Sequence, residues 1–269
     1  MNLVILQPPY PADESEAEKT LEWMIAQLEK ITPGSADLVL LPEYANVPGI
    51  NDRVAMQDFA SGRGMILVDT LIEMAERLKC LMMAGLVERK PEERWVNLAA
   101  VYDASGGRSF IYEKVHLTQF ERDTLQLSAG NWISTCEMQG VVYGFAICFD
   151  AYFPEHFAAL AKQKVDVILC PSYQRSESPE RLEVMTCTRA IDSGAYVVRS
   201  SYAMPEGNTG GCSMVAAPEG SIIGKLEGEA GVLRVKIDPA LKWNKPRSHR
   251  QLEIEHRELI DLERRPGLY

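Results

Sequence analysis

Apolar positions recur along this chain with two periods. Residues 2–7 form an almost continuous apolar run, as expected of a strand buried on both faces. Leu21, Met24, Ile25 and Leu28 follow at i, i+3, i+4 and i+7, which predicts an amphipathic helix; Ser15-Glu16-Ala17-Glu18 ahead of it has capping-box spacing. Residues 37–41 read as a largely apolar strand, and Val68, Leu71, Ile72, Ala75 and Leu78 predict a helix over 65–79. Strands are predicted at 80–87, 95–102 and 108–113, the last two joined by the turn signal Ser105-Gly106-Gly107. Two more are predicted at 132–137 and 141–149. Pro154 suits a first helical position, so a helix is predicted over 154–164. A buried strand at 165–170, a helix at 180–192 and strands at 195–201, 212–217, 221–227 and 231–237 complete the pattern. From Pro239 the chain is polar and Arg-rich, which reads as a solvated tail or as cover for a neighbouring subunit. No internal repeat or dividing linker interrupts residues 1–269, so one layered α/β domain with mixed sheet is expected.

Composition narrows the function classes. Apolar residues make up 46% and charged residues 25% of the 269, which excludes a disordered or low-complexity chain. The 28 Lys+Arg against 38 Asp+Glu give a net charge of −10, which disfavours a phosphate-backbone partner such as nucleic acid. The longest apolar runs are too short to cross a bilayer, and the N-terminus carries no secretory pattern. Six cysteines without a CxxC pair fit a reducing, cytoplasmic setting, in which each is a buried hydrophobe or a reactive thiol.

Several motifs fall away. The four histidines (116, 156, 249, 256) never form HxxxH or HExxH, so a zinc-protease site has no support and no metal is expected. Gly220-Ser-Ile-Ile-Gly224-Lys225 has the wrong spacing for a phosphate loop and reads as a hairpin turn. Gly62-Arg63-Gly64 lacks a third glycine, and no GxSxG elbow occurs. Chemistry is left to Cys, Glu and Lys.

In α/β sheets reactive groups tend to stand just past the carboxyl ends of strands. Glu43, Lys114 and Cys148 each hold such a position. If those strand ends converge, Cys148 can serve as nucleophile, Glu43 as proton acceptor and Lys114 as a fixed charge beside a developing oxyanion, a charge that also favours the thiolate. Position alone leaves the ordinary readings open: a packed Cys, a capping Glu, a solvated Lys. Cys170 is a rival because it also ends a buried strand. Proline follows it, however, whereas Phe149 after Cys148 has a backbone N–H to offer an oxyanion.

These residues bring a family into view. Leu38-Val-Leu-Leu-Pro-Glu43, Tyr112-Glu-Lys114-Val-His116-Leu117 and Gly144-Phe-Ala-Ile-Cys148-Phe-Asp150-Ala-Tyr-Phe-Pro-Glu155 resemble, in that order, three motifs of the nitrilase-like carbon–nitrogen hydrolase superfamily. Weaker matches run from Arg189-Ala-Ile-Asp192 through Gly211-Cys-Ser213, Pro218-Glu-Gly220 and Ile237-Asp238 to the ending Arg265-Pro-Gly-Leu-Tyr269. The resemblance implies a four-layer α-β-β-α sandwich with two mixed sheets, assembled as a homodimer or higher homo-oligomer. It implies a Glu–Lys–Cys triad at Glu43, Lys114 and Cys148, and a second glutamate, best matched by Glu121 with Asp123 as an outside candidate. His116 and Asp150 are implied to be structural, and no cofactor is needed. The loop with Tyr173, Gln174 and Arg175 is implied to border the substrate; Arg175 could pair with a carboxylate or be an ordinary surface residue. Tyr152 stands where many members have Arg, and Asp192-Ser193 and Ser128-Ala129-Gly130 depart from the commoner residues. Phe-Asp after the cysteine, in place of Trp-Glu, favours amides over nitriles. The expected activity is hydrolysis of a small amide or N-carbamoyl compound. Nitrile hydrolysis, acyl transfer on the same scaffold and a non-catalytic binding subunit are the alternatives.

Overall fold

The computed structural model describes residues 1–204, 209–265 and 267. In chain order the elements are β1 (Asn2–Gln7), α1 (Ala17–Glu29), β2 (Leu38–Leu40), α2 (Arg53–Ser61), α3 (Gly64–Leu78), β3 (Leu81–Arg89), β4 (Trp95–Tyr102), β5 (Arg108–Glu113), α4 (Gln119–Asp123), β6 (Thr135–Met138) and β7 (Val141–Phe145). After a 3-10 turn at Cys148–Tyr152 come α5 (Pro154–Lys162), β8 (Val167–Pro171), α6 (Pro179–Ser193), β9 (Tyr196–Ser200), β10 (Met214–Ala216), β11 (Ile222–Lys225) and β12 (Gly231–Lys236), then β13 (Asn244–Pro246), β14 (Glu253–Glu255) and α7 (His256–Glu263).

Two six-stranded mixed sheets form the centre, in the orders β12-β1-β2-β3-β4-β5 and β11-β10-β9-β8-β7-β6. Each has a parallel trio, β1-β2-β3 or β7-β8-β9, flanked by antiparallel strands. Side chains alternate across a strand, and here both faces of the trios are apolar. Leu3, Ile5, Leu38, Leu40 and Met83 meet Phe145, Val167, Leu169 and Val198 between the sheets. Val4, Leu6, Val39 and Met82 point the other way onto Leu21, Met24 and Leu28 of α1 and Leu67, Leu71 and Leu78 of α3. Ile168, Cys170 and Val197 pack outward on Phe157 and Leu160 of α5 and Ala190 of α6. The result is the expected α-β-β-α sandwich, and each such buried aliphatic side chain contributes about 1.5–3 kcal/mol.

Several local expectations change. The first helix is entered through Asp13, not Ser15: Asp13 Oδ1 accepts the Ser15 N–H at 2.8 Å and the Ser15 hydroxyl at 2.6 Å, so that hydroxyl is spent as a donor one step before it could cap. The predicted strand at 132–137 shrinks to β6, and Trp132 stands exposed ahead of it. The strand predicted over 141–149 ends at Phe145, because the chain must turn at Cys148. The polar end of the chain forms the β13–β14 hairpin and α7 rather than an extended tail. Arg257 of α7 is buried against Gly194 and donates to the Val165 carbonyl, and Lys242 pairs with Asp166. Of the closing match Arg265–Tyr269, residues 266, 268 and 269 lie outside the described residues. Gly220 forms the predicted turn, closing a hairpin onto Ala217.

Candidate active site

Four strand ends build one cavity of about 520 Å³. Glu43 follows β2, Lys114 follows β5, Cys148 follows β7 and Tyr173, Gln174 and Arg175 follow β8. All six line it, together with Glu121 and Phe149, so every site residue expected from the sequence reaches the same space. Close approach of backbone makes this possible at β3: a Cβ on Gly85 would lie 2.5 Å from the Glu43 Cα. The alternative thiol, Cys170, is packed in the outer core beside Ser172 Oγ at 3.6 Å and does not line the cavity.

The charged floor is a buried cluster. Lys114 Nζ lies 2.7 Å from Glu43 Oε1 and 2.8 and 2.9 Å from the two oxygens of Glu121; all three side chains are at most 3% exposed. Asn97 Nδ2 donates to the same two oxygens, Glu43 Oε1 at 2.7 Å and Glu121 Oε1 at 2.8 Å. Glu121 is saturated: Oε1 also accepts from the Tyr44 hydroxyl, and Oε2 from the Thr118 N–H and hydroxyl. Thr118 and Glu121 are the two ends of the capping box of α4. Glu43 differs, because among the described residues its Oε2 accepts no hydrogen bond. Of the two acids, both of which line the cavity, only Glu43 keeps a carboxylate oxygen without a hydrogen bond among the described residues.

The electrostatics follow from burial and this pairing. Burial, assisted by the neighbouring Glu121, lifts Glu43 above the usual carboxylate range although Lys114 opposes it. Burial also works on Glu121, but Lys114 and the donors of Thr118 and Tyr44 outweigh it and hold its carboxyl down at about 2. Lys114, despite desolvation, is driven further toward its charged form by the two glutamates. The Cys148 thiol is pushed well above its ordinary range by burial and by Glu43; Lys114 and the Tyr173 backbone N–H pull the other way and lose. Lys114 thus favours the thiolate, as expected, but burial and Glu43 outweigh it.

Cys148 opens the 3-10 turn with φ of 46°, a left-handed conformation that costs a non-glycine residue energy. Asp150 holds it there. Its Oδ2 accepts from the Ile147 N–H and the Tyr112 hydroxyl, both at 2.8 Å; its Oδ1 accepts from the His116 N–H at 2.9 Å and faces His116 Nδ1 at 2.8 Å. The His116 ring stacks on Phe153. His116, Asp150 and His156 bring potential ligand atoms within 4.8 Å of one another; Asp150 is engaged by these four contacts and His156 Nε2 by the Phe145 carbonyl, while His156 Nδ1 is buried without a partner among the described residues. At the start of such a turn the N–H groups have no partner within it, which leaves the Phe149 N–H for another acceptor.

The cavity walls are aromatic. Tyr44, Phe149, Tyr152 and Tyr173 line it, and Tyr173 is fixed by rings of Tyr10 and Tyr202. At the rim the Arg175 guanidinium lies 4.8 Å from the centre of the Tyr173 ring and 3.4 Å from Asn51 Oδ1, with no carboxylate pairing it among the described residues. Tyr152 donates to Glu177. Gln174 is held by buried Arg199. Sequence reading missed Asn97, Tyr44 and Thr118, and noted Tyr152 only as a departure from the family's Arg. A capping-box spacing at Thr118–Glu121 and a lone Asn in an apolar strand were the available signals; nothing marked Tyr44.

A family model described as "Carbon-nitrogen hydrolase" matches residues 3–242. The chloroplastic omega-amidase of Arabidopsis thaliana is 24% identical over 267 residues, covering 93% of this chain and 72% of that protein. The 2-oxoglutaramate amidase of Bacillus subtilis is 25% identical, covering 83% and 85%. Among solved structures, a variant of the amidase from Nesterenkonia sp. AN1, with the acetamide moiety of fluoroacetamide added at its active-site cysteine, superposes with a TM-score of 0.76 at 19% identity, covering all of this chain and 95% of that one. No helix among the described residues is long and apolar enough to cross a membrane.

Proposed function

The chain belongs to the carbon–nitrogen hydrolase family, and on that premise we propose that it hydrolyses a small carboxamide or N-carbamoyl compound through a thioester on Cys148. One observation carries this reading: a thiol, a glutamate with a free oxygen and a doubly paired ammonium share the floor of one cavity. Glu43 Oε2 takes the proton of Cys148 as the sulfur attacks the carbonyl carbon. The oxyanion forms beside Lys114 and the Phe149 N–H, and collapse of the tetrahedral adduct expels ammonia or an amine, which leaves with the proton held by Glu43. Water then loses a proton to Glu43 and attacks the thioester. The carboxylic acid departs, and the proton returns to the sulfur. Burial raises the Glu43 carboxyl above its ordinary value, which strengthens it as a proton acceptor. Glu121 orients Lys114 and, with every lone pair used, takes no proton.

Intact-mass measurement during turnover of a panel of amides, nitriles and carbamoyl compounds tests this. The expected result is a gain equal to the acyl group, absent from Cys148→Ala, which also fails to turn over. Turnover by Cys148→Ala would sink the proposal.

The rim supports a finer reading of the substrate. Arg175 is a cation without a carboxylate partner among the described residues, at the end of a cavity in a chain whose relatives are named omega-amidase and 2-oxoglutaramate amidase. We expect Arg175→Met to raise KM at least about 10-fold for amides bearing a distal carboxylate, the worth of one charged hydrogen bond, and to leave neutral amides within about two-fold. Equal effects on both classes would remove Arg175 from substrate recognition.

A further inference from the structure

Asn97 lies in the middle of the otherwise apolar run of β4, fully buried, with one polar atom to spare. Both protons of its amide are used on acids, one on Glu43 Oε1 and one on Glu121 Oε1. Lys114 Nζ sits on those same two oxygens, so two donors and two acceptors close a square. The Asn97 backbone carbonyl also accepts the Lys114 N–H at 2.9 Å. A single residue thus holds the lysine's main chain and both of its counter-ions. The amide orientation is fixed by chemistry, because its carbonyl oxygen could not face two carboxylates. That oxygen is left buried without a partner among the described residues. An unsatisfied buried acceptor is a cost that a purely structural position would shed by becoming apolar.

We infer that Asn97 is a positioning residue of the hydrolytic centre: by tying Glu43 Oε1 to Glu121 Oε1 it leaves Glu43 Oε2 as the one open proton acceptor at the cavity floor. The inference rests on the reading of Glu43 as the base. Around the amide stand Glu43 after β2, Lys114 after β5, Glu121 and Thr118 at α4, Tyr44, and Cys148 across the floor. Asn97 supplies hydrogen bonds to the ionised acids, so its removal favours their protonated forms. Protonated Glu43 cannot accept from the thiol, and the acidic limb of the rate profile must then move to higher pH.

The test is the pH dependence of kcat/KM for Asn97→Leu, which keeps the branched outline and removes both donors, and for Asn97→Asp, which adds a third carboxylate. At neutral pH Asn97→Leu should lower kcat about 10- to 100-fold, the worth of a hydrogen bond to a charged group, with KM held within about three-fold. Its acidic limb should lie above that of the unaltered enzyme, and that of Asn97→Asp higher still. Asn97→Ala reads the same limb if the leucine variant does not fold. An acidic limb unmoved in a folded variant overturns the inference. If instead Glu43→Gln keeps both its activity and its acidic limb, the assignment of the base fails, and the inference with it.

Discussion

Glu43→Gln should yield a folded protein whose turnover falls by roughly 10³-fold or more. General-base catalysis is commonly worth 10²–10⁴-fold, and here nothing else can take the proton. Glu121 has no free lone pair, and the thiol does not ionise by itself because burial and Glu43 hold it in its neutral form. The glutamine keeps the shape of Glu43, and its Oε1 can still accept from Lys114 and Asn97, so circular dichroism and the melting temperature should change little. The same assignment fixes the pH profile. A carboxyl raised by burial stays protonated to higher pH than a free one, so kcat/KM should fall on the acid side at a midpoint above 4.5, the ordinary value. On the alkaline side Lys114, held in its charged form by two glutamates, should impose no limb within the range where the protein stays folded. Steady-state rates across pH for the unaltered protein and the variant check both parts. A midpoint at or below 4.5 would contradict the assignment.

Lys114→Met should remove activity and destabilise the fold together. Losing one oxyanion donor costs about 3 kcal/mol in the transition state. Removing one partner of a buried ionic cluster typically costs 3–5 kcal/mol in stability, and here two carboxylates would be left facing each other across Asn97. The pH dependence separates this from a mere packing defect. In the unaltered protein Glu121 has a folded pKa of about 2 against an ordinary 4.5, so its contribution to stability is present above 4.5 and is lost as the pH falls toward 2. Without the ammonium both acids shift upward, the sign reverses, and acidification from neutral pH should stabilise the variant. Melting temperatures at pH 7 and pH 5 decide the matter. A deficit of the same size at both values would mean that charge is not its source.

The layers and the three candidate catalytic residues were legible because each is written locally. The i, i+3, i+4 spacing of α1 and α3 and the two-faced apolar trios specify the sandwich directly. Glu43, Lys114 and Cys148 each end a strand, and the family resemblance supplied their convergence and Glu121. What stayed hidden depends on distant contacts or on small margins. α4 is five residues long, and α2 is a short helix of mixed polar and apolar residues announced by little more than the cap at Asp52. Asn97 meets Glu43 54 positions away and Glu121 24 positions away, a relation no spacing rule reports. Asp13 displaced Ser15 as a cap through a hydrogen bond between neighbouring polar residues that either could have led. The balance at Cys148 was hidden for a related reason: the pull of Lys114 toward the thiolate is readable from the sequence, but the burial and the Glu43 contact that outweigh it are not.

A sulfur kept protonated has a chemical life outside the catalytic cycle. Peroxides and alkylating agents attack thiolates far faster than thiols. Burial and Glu43 favour the neutral thiol at Cys148, which protects it in the intervals between encounters with substrate, and in the proposed mechanism the nucleophile comes into being only when an electrophilic carbon arrives to share its proton transfer with Glu43. Durability and reactivity are thereby separated in time rather than traded against each other.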